Sequence, residues 1–174
     1  MTNQRFEALS RLCLNNWHYI RHNILSFHEG INFFTGHSGS GKSTVIDALQ
    51  IILYANTDGR GFFNKASADD SDRSLIEYLR GMVNIGEDNS FSYLRNSNFS
   101  SAIVLELRRT DTGESQCVGV VFDVETAANA VSRMFFWHRG EIPDHAYRAG
   151  EKNRAMTTEE VKAWLLAEFR KEDH

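Results

Sequence analysis

Several things are scarce in this 174-residue chain, and each scarcity excludes a class of protein. Only two cysteines occur, Cys13 and Cys117, far apart in the sequence. They fit no metal-ligand spacing and make no disulfide framework, and with no secretory segment at the start they read as reduced, cytosolic thiols. No apolar run approaches the ~20 residues needed to cross a bilayer as a helix. Positive charge is not in excess either: 19 Lys and Arg stand against 23 Asp and Glu, a formal net charge of −4. A global attraction to nucleic acid is therefore missing, and any such contact would rest on a local patch. The seven histidines suggest no metal site, because His18 and His22 lie in a stretch that reads as extended, where a four-residue gap does not converge two rings. What is present is 41% hydrophobic content, enough for one folded domain with a real core.

The most constrained stretch is Gly36-His37-Ser38-Gly39-Ser40-Gly41-Lys42-Ser43-Thr44, which satisfies G-x-x-x-x-G-K-[ST] at every fixed position. Three glycines allow the backbone to curl so that successive N–H groups point at one phosphate, and the following helix presents its positive end there. The expected ligand is ATP with Mg²⁺. Gly36, Ser38, Gly39, Ser40 and Gly41 form the cradle, Lys42 reaches the β and γ phosphates, Ser43 offers its hydroxyl to the metal, and Thr44 supports the α-phosphate. A strand before and a helix after are the context the motif needs. Ile31-Asn32-Phe33-Phe34-Thr35 reads as a buried strand between Gly30 and Gly36, and Val45, Ile46, Ala48, Leu49, Ile52 and Leu53 recur at helical spacing. Asn56 with Asp58-Gly59 supplies the helix stop.

Upstream, Leu12 to Ile20 reads as a first strand carrying Trp17 and Tyr19. The whole run from Leu12 to Leu53, ending in Asp47-Ala48-Leu49 on the helix, resembles the N-terminal end of ABC-type ATPase heads of the SMC, RecF and RecN kind. The following segment, from Ser67 to Asp88, is similar to the SMC-like ATPases of MukB-like condensin systems such as the plasmid-defence Wadjet complex. The fold class this resemblance implies is α/β: a P-loop NTPase of ABC/SMC-head type, of which residues 1–174 form a single partial head, the N-terminal lobe, with a mixed sheet and an antiparallel β-subdomain. It implies a DNA-acting ATPase in chromosome organisation, repair or plasmid defence. Its partners would be a C-terminal lobe on the same or another polypeptide, a second ATPase head and DNA, in the cytoplasm and without a membrane. An arginine downstream of the phosphate-loop helix can reach nucleotide or DNA in such heads; Arg60, Arg73 and Arg80 are the candidates, against the ordinary reading of solvated surface arginines.

The remainder supports that layout. Asp69 to Asp72 offer helix caps ahead of Leu75, Tyr78, Leu79 and Met82 at helical spacing. Asn84 to Ser100, rich in Asn, Ser and Gly, reads as a loop. Three β-rich runs between 102 and 139, with a Gly-containing turn at Thr110 to Glu114, predict an antiparallel meander. Val118 to Asp123 looks like the strand whose terminal Asp holds magnesium in P-loop ATPases, but Glu125 falls one place too late to serve as its glutamate, and the turn assigns the strand to an antiparallel pair. After the only proline, Pro143, the residues Arg148, Lys152 and Arg154 read as a solvated basic loop in preference to a phosphate contact. Thr157 and Glu160 have capping-box spacing at the start of a helix over 157–170.

No segment of LSGGQ type occurs, and no Asp-Glu pair ends an apolar strand. No catalytic residue is therefore assigned, neither Gln50 nor Gln116 is given the magnesium-sensing role, and the chain alone is expected to hydrolyse ATP negligibly. Two alternatives stand beside the partial head. One is a self-contained P-loop phosphotransferase or NTPase, and the other is a non-hydrolysing module that uses nucleotide to control assembly.

Overall fold

The computed structural model describes residues 5–54, 75–85 and 90–169. The helix stop at Asn56 to Gly59, the caps at Asp69 to Asp72, and Arg60 and Arg73 lie outside the described residues.

A five-stranded sheet dominates. Its strands are β1 (Glu7–Trp17), β2 (Ile20–Ser26), β5 (Phe99–Arg109), β6 (Ser115–Glu125) and β7 (Ala130–Arg139), in the order β2-β1-β5-β6-β7, and every neighbouring pair is antiparallel. Two short hairpins complete the strands: β3 (Met82–Ile85) with β4 (Ser90–Tyr93), and β8 (Arg148–Ala149) with β9 (Arg154–Ala155). The helices are α1 (Lys42–Tyr54), α2 (Leu75–Arg80) and α3 (Thr158–Glu168).

Period-two alternation along the long strands gives the sheet two buried faces. Leu12, Leu14, Ile103, Leu105, Val120 and Phe122 face Val45, Ala48 and Ile51 of α1 and Leu75 and Leu79 of α2. On the opposite face Cys13, Val104 and Cys117 lie under Ile142, Ala146 and Tyr147, while Ala102 and Val121 lie under Val161 and Leu165 of α3. Burial pushes both thiols up to about 12, which disfavours the thiolate at either cysteine. Gly119 on β6 is a packing requirement: a Cβ there would meet the Phe136 ring of β7 at 2.4 Å. The layers are thus helix, sheet and helix with loop.

A bulge in β1, between Leu9 and Arg11, brings Ser10 and Arg11 to one acceptor. Buried Glu106 takes hydrogen bonds from Ser10 Oγ at 2.8 Å, Arg11 Nε at 3.0 Å, Arg11 Nη2 at 2.7 Å and the Ile142 N–H at 2.7 Å. One carboxylate therefore joins two strands to the loop beyond β7.

Three expectations are corrected. Residues 31–35 form no strand; Ile31 and Phe33 are 76% and 83% exposed. A strand needs a ladder partner, and among the described residues none lies beside this run, so the parallel component of a mixed sheet is not formed. The first strand begins at Glu7, five residues before Leu12, because β5 is long enough to pair it to its end. The stretch expected as a loop, Asn84 to Ser100, contains the end of β3, all of β4 and the start of β5, and the four-residue strands of the β3–β4 hairpin are too short to display a period. Arg95 then turns inward and donates to the carbonyls of His18, Leu79 and Ile20.

Candidate nucleotide-binding site

The loop over 36–41 is shaped by its glycines. Gly39 and Gly41 have φ of +81° and +91°, a region that side chains other than glycine rarely adopt. Gly36 is required by space: a Cβ there would lie 2.5 Å from Ser40 Oγ. Between them, the Ser40 N–H donates to the His37 carbonyl at 3.2 Å and closes the turn. Lys42 then starts α1, whose first helical bond runs from the Val45 N–H to the Gly41 carbonyl at 3.2 Å. The amides of the first turn precede that bond, and no acidic side chain occupies the turn to offset the helix's positive end.

The Lys42 ammonium curls into the loop. Nζ donates to the carbonyls of Gly36 at 2.6 Å and His37 at 2.8 Å and to Ser40 Oγ at 3.2 Å, three acceptors for three protons. A cation enclosed by a ring of backbone, with helix-start amides beside it, fits the terminal phosphates of a nucleotide. Ser43 is exposed and Thr44 is buried, so of the two hydroxyl residues expected at the metal and the α-phosphate, Ser43 faces outward and Thr44 faces the core.

The loop is held from beneath by residues that motif reading did not single out for this purpose. Trp17, fully buried at the end of β1, donates its indole N–H to the Thr44 carbonyl at 2.8 Å. Tyr78 on α2 donates to the buried carboxylate of Asp47 at 2.8 Å and packs on Trp17 with ring centroids 4.9 Å apart. Burial, followed by the charge of Asp47 and the hydrogen bond to it, raises the Tyr78 hydroxyl well above its ordinary value, which keeps it a donor. The sheet and α2 thus fix the first two turns of α1. The sequence signal was there in Trp17 and in Asp47-Ala48-Leu49, but nothing in it pairs an indole with a helix carbonyl.

Other candidates are placed elsewhere. Arg80 stacks over the Tyr93 ring at 3.8 Å and donates to the Arg95 carbonyl at 3.1 Å, so it braces the β3–β4 hairpin. Asp123 accepts from Ser100 Oγ at 2.6 Å, from Thr158 Oγ1 at 2.6 Å and from the Thr158 N–H at 3.2 Å, so it docks the start of α3. Gln116 bridges Glu7 and Trp137. Among the described residues no group of three or more His, Cys, Asp or Glu side chains could hold a metal ion.

Phosphate loop, helix and sheet define an α/β P-loop protein. Residues 9–70 match the family model described as the P-loop containing region of AAA domain, a span shorter than half of the chain. No curated protein matches. A solved structure described as "Structural biochemistry of ATP-driven dimerization and DNA stimulated activation of SMC ATPases" is similar at a TM-score of 0.43 and 13% identity, covering 94% of this chain and 93% of that one.

Proposed function

We propose that this chain is the N-terminal ATP-binding lobe of an SMC-like ATPase head that acts on DNA, and that it needs a C-terminal lobe and a second head to hydrolyse ATP. The observation that carries the reading is an intact phosphate cradle beside an exposed apolar segment that has no ladder partner among the described residues. Ile31, Phe33 and Phe34, immediately before the loop, are exposed, as are Ile46, Leu53 and Tyr54 on α1. An apolar run of strand-forming residues with open backbone groups suits a complementary segment that contributes strands beside it. ATP would be held by Gly36, Ser38, Gly39, Ser40, Gly41, Lys42, Ser43 and Thr44, with Lys42 exchanging its loop acceptors for phosphate oxygens. Mg²⁺ would sit at Ser43. When bound, Mg²⁺ would neutralise charge on the phosphates for phosphoryl transfer, and the residues named here would bind and orient the nucleotide.

Calorimetry with Mg-ATP tests the cradle. Lys42→Ala removes a charge-assisted contact worth about 1.5–3 kcal/mol and is expected to weaken binding roughly ten- to a hundred-fold. Affinity unchanged by that substitution would remove the assignment. The choice of biological system, among condensin-like, repair and plasmid-defence ATPases, rests on resemblance and is settled by which complementary chain co-purifies as a stoichiometric partner.

A further inference from the structure

A second site faces away from the phosphate loop. The hairpin β8–β9 and the edge strand β2 flank an open cleft of about 550 Å³ whose lining includes Arg21, His22, Arg148, Lys152 and Arg154, together with Asn16. No carboxylate lines it. In a chain of net charge −4 this is a local inversion of sign, and at its rim Arg154 pairs with Glu160 at 2.7 Å. No carboxylate among the described residues lies within 4.0 Å of Arg21, Arg148 or Lys152. The Arg148 Nε is buried and has no hydrogen-bond partner. Leaving a buried guanidinium donor unmatched is costly, and an oxyanion is its natural complement.

The fold holds these groups in place. Gly150 and Asn153, with φ of +76° and +48°, make the tight turn that returns β9 to β8 and puts Lys152 at its tip. His22 is fixed through Asn15: the Asn15 side-chain amide donates to the Ala146 carbonyl at 2.8 Å, so its oxygen is left to accept from His22 Nδ1 at 2.7 Å. That assigns the proton of the neutral ring to Nδ1. A proton gained at Nε2 makes the ring a second donor. Burial first, and then the charge of Arg148, hold the His22 pKa below its ordinary value of 6.5. The phosphate loop belongs to the opposite side, since α1 packs on the Leu12 and Leu14 face whereas Ala146 and Tyr147, which lead into β8, cover the Cys13 face.

We propose that the cleft between β2 and the β8–β9 hairpin is an anion site for phosphate groups, held by Arg21, Arg148 and Lys152 and separate from the nucleotide cradle. The phosphate could come from a free anion or from the backbone of a nucleic acid. The lining has no Phe, Tyr or Trp and is dominated by cationic side chains, which suits contact with phosphate groups over readout of base edges.

The test uses the whole chain carrying Lys42→Ala, without magnesium or nucleotide, so that failure of the phosphate-loop reading leaves the result intact. Pyrophosphate is titrated while the His22 ring protons are followed by NMR, and a labelled 20-base-pair duplex is titrated by fluorescence anisotropy at several salt concentrations. Expected is saturable binding of at least one probe, with the His22 midpoint moving upward on pyrophosphate. The pair R148Q and K152Q should weaken binding at least ten-fold and, for the duplex, lower the salt slope by about 2. The exposed control R108Q, which lies outside the cleft, should change it less than two-fold. Binding of pyrophosphate alone identifies a free-anion site, and binding of both identifies a backbone site. The proposal is overturned if neither probe binds, or if R108Q has the same effect as the cleft pair. A circular-dichroism melt within a few degrees of wild type confirms that the pair remains folded.

Discussion

Glu106 couples the pH of the medium to the stability of the sheet. Burial pushes its carboxyl up, but the hydrogen bonds from Arg11, the Ile142 N–H and Ser10, with the Arg11 charge, outweigh that and leave it below its ordinary value of 4.5. A folded value lower than the unfolded one means that the carboxylate stabilises the protein at pH above about 4.5 and that this contribution is lost as pH falls through the folded value. The difference in urea midpoint between wild type and Glu106→Gln should therefore be largest near neutrality and shrink on acidification below 4.5. Arg11→Met should destabilise by about 3 kcal/mol, toward the lower end for a broken buried pair, because Ser10 and Ile142 still donate. A midpoint difference that is flat with pH would show that folding does not shift the Glu106 carboxyl, and one that grows on acidification would show that the folded protein holds it neutral.

At the scale of elements, the docking of α3 separates structure from catalysis. Asp123 binds the N-terminal amide and hydroxyl of Thr158, and Thr157 with Glu160 closes a capping box on the same turn. Asp123→Ala should cost about 1.5–3 kcal/mol in a denaturant titration, because Thr158 and Ser100 lose an ionised acceptor. Magnesium-dependent ATP affinity should be unchanged; a selective loss of it would mean that Asp123 does serve the metal. The sequence made this element legible through Thr157 and Glu160, and it made the meander legible through alternation and the turn at Thr110 to Glu114. It was silent where a partner decides the outcome. Ile31 to Thr35 has the composition of a strand, but pairing depends on a neighbour that local sequence does not specify. The Trp17 indole bond to Thr44 and the Arg95 bonds to three carbonyls cross 16 to 77 positions of chain, beyond any local pattern. The basic cleft is not legible in the sequence, where Arg148, Lys152 and Arg154 look like a solvated loop, because Arg21 and His22 are distant in the chain and meet them only when β2 folds against the hairpin.

For the whole molecule, the phosphate cradle and the chemistry it serves come apart. Phosphoryl transfer is accelerated mainly by positioning the nucleophile and by preorganised charge, and each must surround the γ-phosphate. Lys42 and the loop amides supply charge from one side. No Asp-Glu pair ends an apolar strand in the sequence, and Asp123, the acid closest to that pattern, is committed to α3. Among the described residues no acid ends a strand beside the phosphate loop to order the attacking water, so binding should occur without turnover. The expected result is phosphate release by the purified chain that is indistinguishable from that of Lys42→Ala, while Mg-ATP affinity differs between the two by ten-fold or more. Adding a complementary lobe should restore turnover only if Ile31 and Phe33 are intact, since their apolar faces are open in the isolated chain. Replacing both with serine should change the isolated chain's stability by less than about 0.5 kcal/mol, as for other exposed positions, and should abolish the restoration. Robust turnover by the isolated wild type that vanishes in Lys42→Ala would instead make the chain a self-contained P-loop enzyme and leave the exposed segment without a role in catalysis.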